Sequence, residues 1–219
     1  MSLDLKIDNN LIERVSSTKF LGVILNENLS WSSHILVLVN KLNKNIGILR
    51  ALQHKLPINI LHALYNTLVY PYLQYSNIAW AAQPSKYIDQ LFLLQKRALR
   101  IVYKTDWYAH TTPLFNKLHT LKLLDINKLQ TGCFMYRFFA NNLPNLFQNY
   151  FILNSNIHNY FTRQSQNVHQ YAFRTTLRKF AIKHTGPLLW NSLPSYLKTK
   201  PSVYAFKFAY KKFLLSNYT

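Results

Sequence analysis

The sequence predicts a mainly α protein with a short β strand or hairpin near its N-terminal end. Three observations carry that reading. Long amphipathic stretches dominate, with apolar residues recurring at three and four. Only four glycines occur, at positions 22, 47, 132 and 186. Residues favouring β structure gather in one run, Thr18-Lys-Phe-Leu-Gly-Val-Ile-Leu25, closed by the turn signal Asn26-Glu-Asn28.

A lone strand cannot satisfy its backbone groups, so the run 18–25 is expected to pair with residues 1–15 or with a segment upstream. Ser30 or Ser32 is expected to cap the next helix, which runs to about Leu52 and repeats Ile35, Leu38, Leu42, Ile46, Leu49 and Leu52 on one face. Lys41, Lys44 and Arg50 fall elsewhere on that wheel. Pro57 suits the first turn of a helix over Ile58 to about Val69, and Pro71 breaks or kinks it. A further helix runs from about Tyr87 to Lys104, with Ile88, Leu91, Phe92, Ala98 and Val102 on its apolar face. Asp125 to Asn141 reads as another, stopping before Leu143-Pro144. Residues 152–178 lack a period and are either an ordered loop or a linker. A terminal helix follows Pro201, capped by Ser202 and ending near Leu215, with Val203, Phe206, Tyr210 and Phe213 on one side.

Charge then narrows the function. The chain has 26 Lys and Arg against 7 Asp and Glu, a net +19. Residues 1–30 carry three bases and four acids; residues 31–219 carry 23 bases and only Asp89, Asp106 and Asp125. An AT-rich gene would favour Lys, Asn, Tyr, Phe and Ile, but it would also supply Glu, of which the chain has two. So cationic a surface repels itself until it meets a polyanion, which makes nucleic acid the first partner expected and an anionic membrane surface the competitor.

Other classes drop away. A hydrophobic content of 49% with mean hydropathy −0.10 fits neither disorder nor a membrane bundle. The longest aliphatic run, 35–39, is far short of the roughly 20 residues a membrane span needs. The first ten residues lack a basic segment followed by an apolar core, so no secretory signal is read and an intracellular location, nuclear or cytoplasmic, is expected. Cys133 is the only cysteine, which excludes an internal disulfide and a Cys-rich zinc site; between Phe134 and the nearby apolar positions it reads as a small core residue. The eight histidines show no metal-type spacing. Phosphodiester chemistry on two metal ions needs clustered carboxylates, and here no two acids are adjacent. No phosphate-binding glycine loop or Gly-x-Ser-x-Gly elbow occurs, so no catalytic residue is assigned.

The basic constellations are the candidate sites. Arg97, Arg100 and Lys104, spaced three and four apart with Lys96 beside them, form a stripe with no Glu to offset it. The arginines offer a bidentate fork to phosphate. Lys41 and Lys44 on the first long helix join them as expected backbone contacts. On the terminal helix Lys207, Lys211 and Lys212 flank the apolar side, which suits phosphate contact, solvation or a membrane surface. His158-Asn-Tyr-Phe-Thr-Arg163, followed by Arg174 and Arg178, mixes aromatics and arginines as stacking on unpaired bases requires, although Tyr160 and Phe161 could equally anchor a loop to the core.

At Lys19-Phe-Leu-Gly-Val-Ile-Leu-Asn-Glu-Asn-Leu-Ser-Trp31 the sequence resembles the last block of a non-LTR (LINE-type, jockey-like) retrotransposon reverse transcriptase. The likeness continues in family order through Leu64-Tyr-Asn-Thr-Leu-Val-Tyr-Pro-Tyr-Leu73, Leu94-Gln-Lys-Arg-Ala-Leu-Arg-Ile101, Ala109-His-Thr-Thr-Pro-Leu-Phe115 and His158–Arg163. It ends with Gly186-Pro-Leu-Leu-Trp-Asn-Ser-Leu-Pro194 and the segment from Ser202 to Phe206-Lys207. The family usually has Asp where this chain has Asn26, a change a turn tolerates.

The resemblance implies the end of a palm over 1–31, a thumb-like helical domain over 32–106 and a helical C-terminal region over 107–219. The palm's paired-aspartate box and its Mg ions would then lie upstream, in a polymerase region outside this chain, leaving the chain no cofactor of its own. The partner implied is an RNA/DNA template–primer duplex, gripped without base specificity by a truncated RNA-directed DNA polymerase fragment inactive alone. The alternative is a degenerate or domesticated transposon product acting as a structural or protein-interaction module.

Overall fold

A computed structural model of the chain describes residues 6–8, 10–82, 86–157 and 162–218. The fold is mainly α, with 59% of the described residues in helix and 7% in strand, as the amphipathic periodicity requires. Two small hairpins come first. Strand β1 (Lys6–Ile7) pairs with β2 (Asn10–Leu11), and β3 (Ser17–Phe20) pairs antiparallel with β4 (Val23–Asn26). Among the described residues the run 18–25 therefore does not take its partner from the segment before it. It folds on itself, because Leu21 and Gly22 both take positive φ, 45° and 80°, the two-residue turn whose twist matches a hairpin. Tyr75 fastens that turn by donating to the Leu21 carbonyl at 2.6 Å.

Helix α1 (Ser32–Leu52) buries Ile35, Leu38, Leu42, Ile46 and Leu49, the face its spacing marks. Its cap differs from expectation. Trp31 occupies the N-cap with no side-chain bond, while the Ser30 and Ser32 hydroxyls both accept from Asn26 Nδ2, at 3.0 and 3.2 Å. Those serines close the hairpin rather than the helix. Helix α2 (Ile58–Leu68) follows Pro57, and α3 (Tyr70–Gln74) restarts the chain with Pro71 in its first turn. Short α4 (Asn77–Trp80) leads to α5 (Lys86–Tyr103), which packs along α1.

Helix α6 (Thr112–Lys117) turns the chain into α7 (Leu123–Phe139), against which α9 (Ile182–Ser192) and α11 (Val203–Ser216) pack. Between α9 and α11 lies the short α10 (Ser195–Lys198). Ser202 caps α11, its hydroxyl accepting from the Ala205 amide at 3.1 Å. One apolar cluster joins Leu42 and Leu49 of α1 to Leu99 of α5, Ile126 of α7 and Tyr210 of α11, so the core runs without a break across residues 106 and 107.

The polar stretch 152–178 is an ordered loop where it is described. Val168 is buried and its backbone is held by the Asn191 amide, which accepts from the Val168 N–H and donates to its carbonyl, each at 2.9 Å. Helix α8 (Thr176–Phe180) closes the loop. His158, Tyr160 and Phe161, the expected stacking group, lie outside the described residues. Among the described residues no helix is long and apolar enough to cross a membrane.

Candidate nucleic-acid interface

Gln95 decides which way the basic stripe of α5 faces. It sits on the buried side of the helix and is fully enclosed. Its amide donates to Tyr65 Oη at 3.1 Å and to the Leu121 carbonyl at 2.9 Å, and its carbonyl accepts from the Leu123 amide at 2.9 Å. One side chain thus ties α5 to α2 and to the start of α7. All of its bonds are inside the core, where they are worth most and where losing one costs most.

With α5 so fixed, Lys96 and Arg100 line a groove of about 540 Å³ together with His110, Lys122 and Lys128. Lys96 lies over the Phe92 ring at 4.2 Å and Lys122 over the Tyr218 ring at 4.2 Å. Arg100 Nε donates to the Ala109 carbonyl at 2.9 Å, which holds the guanidinium in place. Among the described residues its two terminal amino groups have no hydrogen-bond partner. Among the described residues the one acid lining the groove is Asp125, and both its oxygens are taken: Oδ1 by Lys128 at 2.9 Å and Oδ2 by the Tyr218 hydroxyl at 2.5 Å. The Lys122 amide in turn donates to Tyr218 Oη at 2.9 Å. Burial, and then the Asp125 hydrogen bond, push the Tyr218 phenol well above the ordinary tyrosine range, so it stays a donor.

The stripe divides at its other members. Arg97 does not line the groove; it is half-buried, with its guanidinium 4.9 Å over the Trp107 ring and Nε without a partner. Lys104 leaves the helix altogether. It stands at φ 54° just past Tyr103, its amide bonding the Ile101 carbonyl while Thr105 bonds the Arg100 carbonyl, the Schellman way of ending a helix. Its side chain is therefore not in helical register with Arg100.

Lys41 and Lys44 are exposed on α1, Lys41 lying 5.4 Å over Tyr72. Lys207 lines a second cleft of about 370 Å³ with Arg137, Tyr70 and Cys133. Lys211 is half-buried, and burial followed by the neighbouring Lys207 charge lowers its ammonium pKa. The same Lys211 charge, after burial, lowers His62. Cys133 is only partly buried and packs against the core from the cleft wall, where burial raises its thiol. Arg163 and Arg174 are exposed in the polar loop, and Arg178 lines a third cavity with Lys183.

Sequence reading missed Lys122, Lys128, Arg137 and Lys183. Lys122 and Lys128 flank Asp125 at three residues on either side, and that lone acid in a basic stretch was the available signal. Among the described residues no three His, Cys, Asp or Glu side chains are placed to hold a metal ion. No family model, curated protein or solved structure matches the chain.

Proposed function

We propose that this chain binds nucleic acid through its phosphates, without reading base sequence. The observation that supports it best is the groove beside α5. Lys96, Arg100, Lys122 and Lys128 meet there around one acid whose oxygens are already occupied. Phosphate contacts of this kind fix position on a strand and carry no sequence information. The resemblance to non-LTR reverse transcriptases suggests the biological form: the chain would grip a template–primer duplex on the thumb side, and carboxylates outside it would extend the strand.

Salt titration tests the reading. If about five phosphates are neutralised, log K for a duplex falls against log salt with a slope of about −4.5. Replacing Lys96 and Lys122 by Gln is expected to reduce the magnitude of that slope by about 0.9 for each charge removed. A flat salt response, or an unchanged slope in the double variant, rejects the groove as the binding surface.

A second reading rests on α11. Tyr204 and Phe208 stand one turn apart on its outer face, 80% and 69% exposed, beside exposed Lys207 and Lys212. Aromatics with lysines suit an anionic lipid interface. Flotation with phosphatidylserine vesicles, abolished by Phe208→Ser, would support it; no flotation would remove it.

A further inference from the structure

We infer that the third cavity, between the polar loop and the start of α9, takes an unpaired nucleobase together with an adjoining phosphate. The inference rests on the nucleic-acid reading above and adds a second, strand-selective site to it.

The cavity holds about 390 Å³ and is lined by Tyr150, Tyr171, Phe173, Arg178, Lys183 and His184. That volume lies inside the roughly 300–1,000 Å³ of small-ligand pockets. Among the described residues four rings, counting the His184 imidazole, and two cations line it, and no acid does. Absence of an acid disfavours a cationic occupant such as a methylated ammonium, which an aromatic cage alone would otherwise suit. Tyr171 and Phe173 are 38% and 39% exposed, so the core does not consume them. Lys183 is held between two rings, 5.2 Å from the Tyr150 centroid and 5.0 Å from that of Tyr171. A phosphate on that ammonium would bring its own base against the same aromatic wall.

His184 adds an imidazole to the cavity wall. Its ring meets Phe173 edge-on at 4.5 Å, and its Nδ1 is buried with no hydrogen-bond partner. An imidazole nitrogen can donate or accept, which suits the edge of a base. Arg178, on exposed α8, adds a second phosphate contact beside Lys183. Bases within a duplex are stacked on each other and cannot offer their faces, so the pocket would select single strands or ends.

The test uses the full chain and three probes: a single-stranded oligouridine carrying one 2-aminopurine, a duplex of equal length, and AMP. Wild type is expected to change the aminopurine fluorescence on binding. Tyr171→Ala with Phe173→Ala is expected to lower single-strand affinity about tenfold while leaving duplex affinity and its salt slope unchanged. Phe173→Leu keeps apolar bulk without a ring face, so it should lose affinity as Phe173→Ala does; wild-type affinity in that variant overturns stacking. Equal losses for single strand and duplex, or no loss in either, overturn the pocket and leave the groove reading standing. Failure of the wild type to bind either polymer removes both. Displacement of the oligomer signal by AMP would show that one nucleotide fills the site, whereas displacement by oligomer alone would show a strand segment as its occupant.

Discussion

The Tyr218 hydroxyl donates a 2.5 Å hydrogen bond to Asp125 Oδ2, joining the last described residue to the first turn of α7 across 93 positions. The same oxygen accepts from the Lys122 amide. Tyr218→Phe removes both functions with little change of shape. It leaves a buried carboxylate oxygen and a backbone N–H unpaired, so unfolding free energy should fall by about 1–3 kcal/mol in urea titrations. Asp125 lines the Lys96 groove and Lys122 lies over the Tyr218 ring, so nucleic-acid affinity should fall as well.

Stability should also turn over in alkali. Burial raises the phenols of Tyr65, Tyr210 and Tyr218 above their ordinary value. The unfolded chain ionises these groups near pH 10 and the folded chain does not, so their contribution is whole below about pH 10 and declines as pH rises beyond it. Burial lowers the ammonium pKa of Lys198 and Lys211. That has the opposite sign and adds stability as pH climbs toward about 10.5. Unfolding midpoints measured across this range should rise and then fall, and the fall should be shallower in Tyr218→Phe. A curve still rising well above pH 11, roughly one unit past the ordinary phenol value, would contradict the assignment.

Acid should loosen the hairpin end. His34 is buried, its Nδ1 lies 3.5 Å from the Ile24 amide of β4, and its ring meets Trp80 edge-on. Burial, then Lys41, lowers its pKa. The unfolded His34 takes up a proton near pH 6.5 and the folded one resists, so stability is present above about pH 6.5 and is lost as pH falls through the lower folded value. Amide exchange at Ile24 should quicken in that window, and His34→Gln should flatten the response.

Much of this fold was legible because one buried face per helix leaves a period in the sequence. Ile35, Leu38, Leu42, Ile46 and Leu49 gave α1, and Pro201 with Ser202 gave the start of α11. What stayed hidden was local geometry made by residues that ordinarily signal something else. Three helices end with a left-handed residue that is not glycine: Lys104 after α5, His119 after α6 and Asn141 after α7. Without glycine the left-handed turns themselves are silent, although the ends of α5 near Lys104 and of α7 near Asn141 are legible from the apolar period and from Pro144. Helix α9 was hidden because it contains Gly186 and Pro187, which read as breakers. The groove was half legible: α5 announced Lys96 and Arg100, but their companions Lys122 and Lys128 arrive through the Gln95 tether, a contact no periodicity encodes.

Glycines 132 and 186 should answer differently to alanine. A Cβ on Gly132 would stand 2.7 Å from the Tyr210 ring and 3.3 Å from Phe206, both buried and stacked on neighbours. Overpacking there costs about 1–3 kcal/mol, more than the roughly 1 kcal/mol alanine gains in helix propensity. A Cβ on Gly186 would stand 2.7 Å from the Met135 sulfur, at the far end of a flexible side chain that can move aside. Gly132→Ala should therefore destabilise the protein and Gly186→Ala should leave it near wild type, in the same urea titration.

Lys104 offers a test that separates fold from binding. At φ 54° it holds the left-handed position that ends α5, which costs a side chain about 1–2 kcal/mol relative to glycine. Lys104→Gly relieves that strain but gives back part of the gain through the freer unfolded chain. A net rise in unfolding free energy of about 0.5–1 kcal/mol is expected. The residue lies off the Arg100 register and does not line the groove. The salt slope for duplex binding should therefore stay where it was, whereas Lys96→Gln in parallel should lower it by about 0.9. A slope that drops equally in both would put Lys104 back among the phosphate contacts and widen the binding surface around the end of α5.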